Sequence, residues 1–143
     1  MKVSTKGRYA LRLLLDLAEH RGVFTSLKEI AARQNISKQY LEQIVSLLNT
    51  SNILRTNRGK QGGYMLARPP SECTVREVLR ITEGNLAPIT CLEEKVNNCE
   101  QAPYCKTLPM WTGLQKVIDD YLGSVTIQDM LEQCQDGADN WVI

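Results

Sequence analysis

The chain has 143 residues but only one histidine, His20, one phenylalanine, Phe24, and a net charge of +1. Each scarcity excludes something. With His20 the single imidazole, at the end of the first helix, no Cys–His–acid set for nucleophilic catalysis is suggested, and the chain is expected not to be an enzyme. No apolar run is long enough to span a bilayer, so no membrane partner is expected. The first twenty residues are basic and then apolar, but Arg12, Asp16 and Glu19 interrupt them, which argues against a signal peptide. There is no internal repeat and no low-complexity tract. Five cysteines with no export signal point to a reducing, cytoplasmic compartment, where thiols bind metal or react rather than pair. Hydrophobic content of 43% and charged content of 23% are ordinary for a globular protein able to bury a core.

The small net charge conceals a division. Residues 1–70 hold 12 Lys+Arg and 4 Asp+Glu, whereas residues 71–143 hold 5 and 12. A basic first half joined to an acidic second half is the electrostatic footprint of a nucleic-acid binder confined to one half. Lys2, Lys6, Arg8 and Arg12 carry the basic surface to the N-terminus.

The pattern from Ser26 to Leu66 gives that charge a purpose. Ser26-x-x-Glu29 is a capping box opening a short helix with Leu27, Ile30 and Ala31 on its apolar face. Gln34-Asn35-Ile36 forms a turn, and Asn35 tolerates a left-handed backbone. Ser37 is a natural N-cap for a second helix, where Leu41, Ile44, Val45 and Leu48 recur at i, i+3, i+4 and i+7 as one buried stripe. Its opposite face shows Lys38, Gln39, Glu42, Gln43 and Ser46, side chains of the kind that bond base edges and phosphates. A plain helical hairpin with a solvated polar face would share these features. The next stretch separates the two. Ile53–Asn57 and Gly63–Ala67 read as paired strands, and the tip Arg58-Gly59-Lys60-Gln61-Gly62 puts two cations on a backbone flexible enough to approach phosphate or a narrow minor groove. Helix, turn, helix and basic hairpin make a winged helix–turn–helix, in a fold expected to be mainly α with a small β-hairpin.

The remaining chain is helical. A first helix over Ser4–His20, with Ala10, Leu13, Leu14 and Leu17 inward, roofs the helix–turn–helix. Thr74-x-x-Glu77 caps a helix through Ile81 that Gly84 stops. Residues 85–107 lack a period and read as a long loop. Leu108–Leu122 is an amphipathic helix with rows Met110, Leu114, Val117, Tyr121 and Trp111, Leu114, Ile118, Leu122. That apolar surface is wider than a small domain needs, so Met110, Trp111, Leu114, Val117, Ile118 and Tyr121 are expected to pair with a second copy. A reader of a pseudo-palindromic, double-stranded DNA operator is usually a two-fold dimer. Thr126 caps a last short helix, and the apolar tail Trp141-Val142-Ile143 needs a surface to cover it. Three segments follow: a winged helix–turn–helix over 1–82, a cysteine-bearing loop over 83–107, and a dimerisation helix with a C-terminal helix over 108–143.

The loop carries Cys91-x7-Cys99-x5-Cys105. Soft thiolates select iron–sulfur clusters, zinc or Cu(I). The spacing is neither the knuckle of a structural zinc site nor a ferredoxin run. A metal cluster, a zinc site, redox-active thiols and unliganded cysteines all stay open on spacing alone. Cys73 and Cys134 read as small core or surface residues.

Three stretches resemble the Rrf family of bacterial winged-helix regulators, which includes IscR-, NsrR-, RirA- and CymR-like members, and the resemblance covers essentially the whole chain. MKVSTKGRYALRLLLDLA is similar to the family's opening, ISKQYLEQIVSLL to its recognition helix, and RGKQGGYMLARPP to its wing. WTGLQKVIDDYLGSVTIQDM resembles its dimerisation helix and the short helix after it. The resemblance implies that Tyr40, Glu42 and Gln43 sit at the major groove and Arg58 at the minor groove. It also implies that Cys91, Cys99 and Cys105 hold an iron–sulfur cluster, 2Fe–2S or 4Fe–4S, as in the cluster-binding members. The IscR-type histidine position is Leu108 here and the NsrR-type aspartate position is Arg8, which leaves the fourth ligand unassigned. The function implied is a cytoplasmic repressor, a homodimer whose operator affinity the cluster sets. The alternatives are a CymR-like regulator of cysteine or sulfur metabolism, controlled by a partner protein or thiol oxidation without a cluster, and a zinc-stabilised interaction module.

Overall fold

Five of the six helices among the described residues begin where a hydroxyl takes over a free backbone N–H. The side chains of Ser4, Ser26, Ser37, Thr74 and Thr126 accept from the amides of Gly7, Glu29, Tyr40, Glu77 and Asp129 at 3.0–3.2 Å. Each such cap contributes about 1 kcal/mol. The reciprocal half of a capping box is made at Thr126, whose amide donates to Asp129 at 2.9 Å. Glu77 turns its carboxylate to Arg68 at 2.6 Å instead. The computed structural model describes residues 1–140; the tail Trp141-Val142-Ile143 lies outside the described residues.

The element order is α1 (Thr5–Glu19), α2 (Leu27–Gln34), α3 (Lys38–Leu48), β1 (Leu54–Asn57), β2 (Gly63–Leu66), α4 (Val75–Glu83), α5 (Leu108–Ser124) and α6 (Ile127–Asn140). Single 3₁₀ turns lie at Asn49–Ser51, Pro70–Glu72, Thr90–Leu92 and Ala102–Tyr104. The last two break up the stretch expected to be plain loop. No helix among the described residues is long and apolar enough to cross a membrane.

The core gathers around α1. Leu13, Leu14 and Leu17 are buried against Ile30 of α2, Leu41, Ile44 and Leu48 of α3, and Val78 of α4. Ile127 of α6 joins the same cluster. A second, smaller cluster forms under Val75, Leu79 and Leu86, covered by Leu122, Val125 and Met130. Two backbone bonds pin the α5–α6 corner to the start of α4: the Val75 amide donates to the Val125 carbonyl, and the Ile127 amide to the Cys73 carbonyl, both at 2.9 Å. The last helix is therefore not the short element the sequence suggested. Its capping box starts it, no proline or glycine interrupts residues 127–136, and its apolar side packs back on α1.

One polar group sits inside this core. Asp16 of α1 is 1% exposed. Arg33 of α2 reaches it with both arms of its guanidinium, Nε at 3.1 Å and Nη2 at 2.6 Å, and the Gln34 amide donates at 3.0 Å. Burial pushes the Asp16 carboxyl up, but the hydrogen bonds from Arg33 and Gln34, helped by the charges of Arg33 and His20, outweigh it and hold the group below its ordinary value of 3.8. The ionised form is therefore the one the fold stabilises. A group with a depressed folded pKa adds stability above its unfolded value, and that stability is lost as pH falls through the folded one. Asp16→Asn is expected to cost about 1–3 kcal/mol at neutral pH, since Arg33 keeps some access to water. The gap from wild type is expected to narrow as pH falls below 3.8. Denaturant melts at neutral pH and pH 3 check both; an equal gap at the two pH values would remove the carboxylate's charge from the account.

Candidate nucleic-acid interface

The tripartite polar contact at Asp16 also aims the helix that follows it. Gln34 closes α2, and Asn35 takes the left-handed conformation, φ 53°, that turns the chain into α3. Arg12 donates to both the side chain and the carbonyl of Gln34 and lies over the Tyr9 ring, 5.1 Å from its centroid. Tyr9 meets Tyr40 of α3 edge-on at 5.7 Å. α1, the turn and the first turn of α3 are thus one polar and aromatic assembly. Arg12, expected in the basic surface, is spent here on structure.

α3 divides as its sequence suggested. Leu41, Ile44, Val45 and Leu48 are buried, and Lys38, Gln39, Glu42, Gln43 and Ser46 are exposed, with the N-cap Ser37 beside them. Tyr40 is half-buried by Tyr9, so only part of its ring faces outward.

The hairpin pairs Leu54 with Leu66, Arg55 with Met65, Thr56 with Tyr64 and Asn57 with Gly63. Ile53 lies just ahead of β1, yet its carbonyl still accepts from Ala67 at 2.8 Å. A third segment, unforeseen in the sequence, completes the sheet. Thr25, just before α2, exchanges two backbone bonds with Tyr64, at 2.9 and 2.8 Å. A Cβ on Gly63 would collide with the Thr25 carbonyl, so glycine is needed for this approach. The wing is therefore anchored to the helix–turn–helix rather than hanging from β1 alone. At its tip Arg58, Gly59, Lys60 and Gln61 are exposed, and Gly59 adopts φ 123°. Arg55 adds an exposed cation on β1, a position that alternation after buried Leu54 could have flagged. At the N-terminus Lys2 and Arg8 are exposed and Lys6 is half-buried.

The cysteines are placed differently from one another. Cys91 and Cys99 are exposed and line one shallow groove with Glu93 and Glu94. Cys105 lies outside that groove, at the start of α5, with its sulfur 3.4 Å from the Thr107 hydroxyl. That contact, with the Thr107 and Leu108 amides, holds its thiol below the ordinary value. Soft thiol donors on one open loop suit an iron–sulfur cluster in kind. They are not gathered in this structure: among the described residues no three Cys, His, Asp or Glu side chains are grouped to hold a metal. Cys73 is 2% exposed, and burial, with Glu77 adding to it, pushes its thiol up to about 11. Cys134 is exposed on α6.

On α5 no residue is buried within the chain. Met110, Val117 and Tyr121 are 55%, 64% and 65% exposed, and Leu114 is 38% exposed, while Trp111 and Ile118 are half-buried. The first expected row thus faces outward, and part of the second leans on α4.

A helix–turn–helix followed by a two-stranded wing makes this a winged-helix protein. Residues 3–133 match Rrf2, the family described as an iron-dependent transcriptional regulator, and the chain belongs to that family. It is 37% identical over 131 residues to the transcriptional regulator CymR of Bacillus subtilis, a match spanning 91% of this chain and 89% of CymR. The structure of that protein, described as the global cysteine regulator of B. subtilis, superposes with a TM-score of 0.76 at 34% identity, covering 92% of this chain and 97% of CymR. T. potens IscR gives a TM-score of 0.76 at 36% identity, covering 96% of this chain and 90% of IscR. The oxidized form of Staphylococcus aureus CymR gives 0.71 at 34% identity, covering 92% and 97%. The chain is accordingly a transcriptional regulator of the Rrf2 family.

The thiols should differ in reactivity as their surroundings do. At neutral pH with a disulfide reagent, Cys91, Cys99 and Cys105 are expected to react in the native state. Cys73 is expected to react only on unfolding, because the thiolate is the nucleophile and burial disfavours it. Peptide mapping after timed alkylation reads this directly; native labelling of Cys73 at the loop's rate would contradict its burial.

Proposed function

We propose that this chain binds a pseudo-palindromic operator in double-stranded DNA as a homodimer and represses transcription there. In this reading residues 1–82 meet the DNA. Ser37, Lys38, Gln39, Tyr40, Glu42 and Gln43 approach the major groove, Arg58, Gly59 and Lys60 the adjacent minor groove, and Lys2, Lys6 and Arg8 the phosphates. The observation that carries the reading is that α3 has an exposed polar face and the wing an exposed basic tip, both fixed to the same core. α5 pairs with its copy through the row Met110, Leu114, Val117 and Tyr121, flanked by Trp111 and Ile118. Large apolar side chains this exposed on one helix face support an interface.

The loop over 83–107 is the switch in this reading. Cys91, Cys99 and Cys105 would hold an iron–sulfur cluster, a group that supplies redox and ligand-exchange chemistry the side chains lack. The chain's part is to provide thiols on a segment with few packing constraints, joined at one end to α4 and at the other to α5. Ordering that segment changes the relation between the DNA-reading half and the pairing helix.

A second reading keeps the regulator and omits the cluster: CymR-like control by thiol oxidation or a partner protein, in cysteine or sulfur metabolism. The separation of Cys105 from the groove of Cys91 and Cys99 favours it. The visible spectrum of anaerobically purified protein, with iron and sulfide assayed, separates the two. For the cluster, each of Cys91→Ala, Cys99→Ala and Cys105→Ala bleaches the absorption, and Cys73→Ala and Cys134→Ala spare it. A colourless protein whose DNA affinity responds to thiol oxidation supports the second reading.

Two substitutions test the assignment of surfaces. Arg58→Ala is expected to weaken DNA binding several-fold and lower the salt slope by about 1, with the melting temperature unchanged. Unaltered binding would take Arg58 off the DNA. Val117→Glu places a charge on a side chain that is 64% exposed in the single chain, so the monomer should fold while the dimer dissociates. Sedimentation reads the outcome, and an intact dimer would move the interface elsewhere.

A further inference from the structure

Glu83, the last residue of α4, has no place in the DNA-reading surface, yet its carboxylate sits on the first turn of α1. Oε1 accepts from the Ser4 backbone amide at 2.8 Å and from the Ser4 hydroxyl at 2.7 Å. The same hydroxyl oxygen accepts from the Gly7 amide at 3.2 Å, so Ser4 is held by Glu83 while it caps α1. The fit leaves no room to spare. A Cβ on Gly7 would run into Glu83 Oε1 and would lie 3.0 Å from Val3 Cγ1 and 3.1 Å from Leu79 Cδ2. A glycine near the start of a helix, where alanine would favour helix formation, is explained by this carboxylate. The charge also has the sign that a helix N-terminus favours.

The segment clasped in this way carries Lys2, Lys6 and Arg8. An acid beside cations meant for phosphate weakens their field, so electrostatics alone would disfavour Glu83 at this position. Its geometry supplies the counter-argument: the carboxylate fixes where α1 starts and in which direction Lys2 leaves it. α4 ends at Glu83, where the cysteine loop begins, and Lys2, Val3 and Glu83 share a groove with Leu86 and Pro88 of that loop. The clasp therefore lies where the loop and the basic segment meet.

We propose that Glu83 is a positioning residue for DNA binding, its carboxylate clasping Ser4 so that Lys2, Lys6 and Arg8 are held where they meet the phosphate backbone. The proposal rests on the DNA-binding reading above and goes beyond it in giving an acidic residue a favourable role.

The test is the binding of purified full-length protein to a labelled mixed-sequence DNA duplex, followed by anisotropy from about 50 to 200 mM salt, where each neutralised phosphate contributes about 0.9 to the logarithmic slope. Glu83→Ala is expected to weaken binding at low salt and to lower the slope by about one or two phosphate contacts. Glu83→Gln, which keeps an oxygen acceptor for Ser4, is expected to retain most of the slope. Gly7→Ala displaces the carboxylate without changing charge, and should reproduce Glu83→Ala; it serves as the independent variant should Glu83→Ala fail to fold. In a Lys2→Ala, Lys6→Ala, Arg8→Ala background, Glu83→Ala should have no further effect on the slope, the non-additivity expected of groups acting together. If Glu83→Ala and Glu83→Gln both tighten binding by the same factor, Glu83 acts only as a repulsive charge and the proposal is wrong. Unchanged slopes in Glu83→Ala and Gly7→Ala would equally overturn it while leaving the DNA reading intact. A wild-type protein that binds no duplex at low salt would remove both.

Discussion

A buried carboxylate organises the helix–turn–helix half of this protein. Asp16 is inside the core, and an isolated charge there would cost several kcal/mol. The chain offsets that cost mainly with hydrogen-bond donors from the end of α2, where Arg33 and Gln34 are consecutive. The consequence is geometric. The last turn of α2 must lie against α1, and since α3 follows after the Asn35 turn, its start is placed as well. Apolar burial of Leu41, Ile44 and Leu48 supplies most of the stability of this packing, but it would tolerate small slides along α1. Hydrogen bonds within about 0.3 Å of ideal length tolerate much less. For a helix proposed to present side chains to base edges, that difference is functional.

The wing obtains its position by a related device. A two-residue backbone exchange between Thr25 and Tyr64 joins β2 to the segment entering α2, so the hairpin and the helix–turn–helix move together. Gly63 permits the contact by having no side chain. Both devices converge on α2, the shortest helix in the described residues, which contributes little apolar area itself. Its role is to connect: Thr25 and Ser26 at its start to the wing, Arg33 and Gln34 at its end to α1.

What was legible in the sequence follows from the range of each interaction. Hydroxyl caps act over three residues, so Ser26, Ser37, Thr74 and Thr126 announced their helices, and the i, i+3, i+4, i+7 stripe of α3 announced its buried side. The glycine-rich basic tip was legible because its chemistry is local. Asp16 was not: an acid in a leucine-rich helix looks like a solvated residue until Arg33, 17 positions on, is brought beside it. The Thr25–Tyr64 bridge was hidden for the same reason, 39 residues separating partners that interact only through backbone. In the cysteine loop, nearness along the chain does not by itself give nearness in space. Cys105 shares its loop with Cys91 and Cys99, but the start of α5 engages it separately. Gathering the three thiols would cost the loop local structure, two 3₁₀ turns and the Asn97–Cys99 contact.

The route by which such a rearrangement would reach DNA is set by α4. On one side it is fastened to the α5–α6 corner by the Val75–Val125 and Cys73–Ile127 backbone bonds, and Asp119 of α5 takes Arg76 at 3.1 Å and Arg80 at 2.7 Å. Gly123 leaves room for the Arg76 guanidinium to lie against α5. These ion pairs are more than a third exposed, so they contribute little to stability. Their value is in direction, because a carboxylate between two arginines one helical turn apart fixes how α5 lies on α4. On the other side α4 buries Val78 against α1 and α3. If α5 pairs with its copy, the separation of the two recognition helices is the sum of two short, well-defined steps: α3 to α4 through the apolar core, and α4 to α5 through this polar contact. The cysteine loop leaves the end of α4 and returns at the start of α5, so it bridges the second step, and near its beginning Leu86 also joins a cluster with Val3 and Leu11. In the proposed reading, ordering the loop acts on the angle between α4 and α5, so that a regulator alters its fit to two half-sites while each reading head, built around Asp16, is kept.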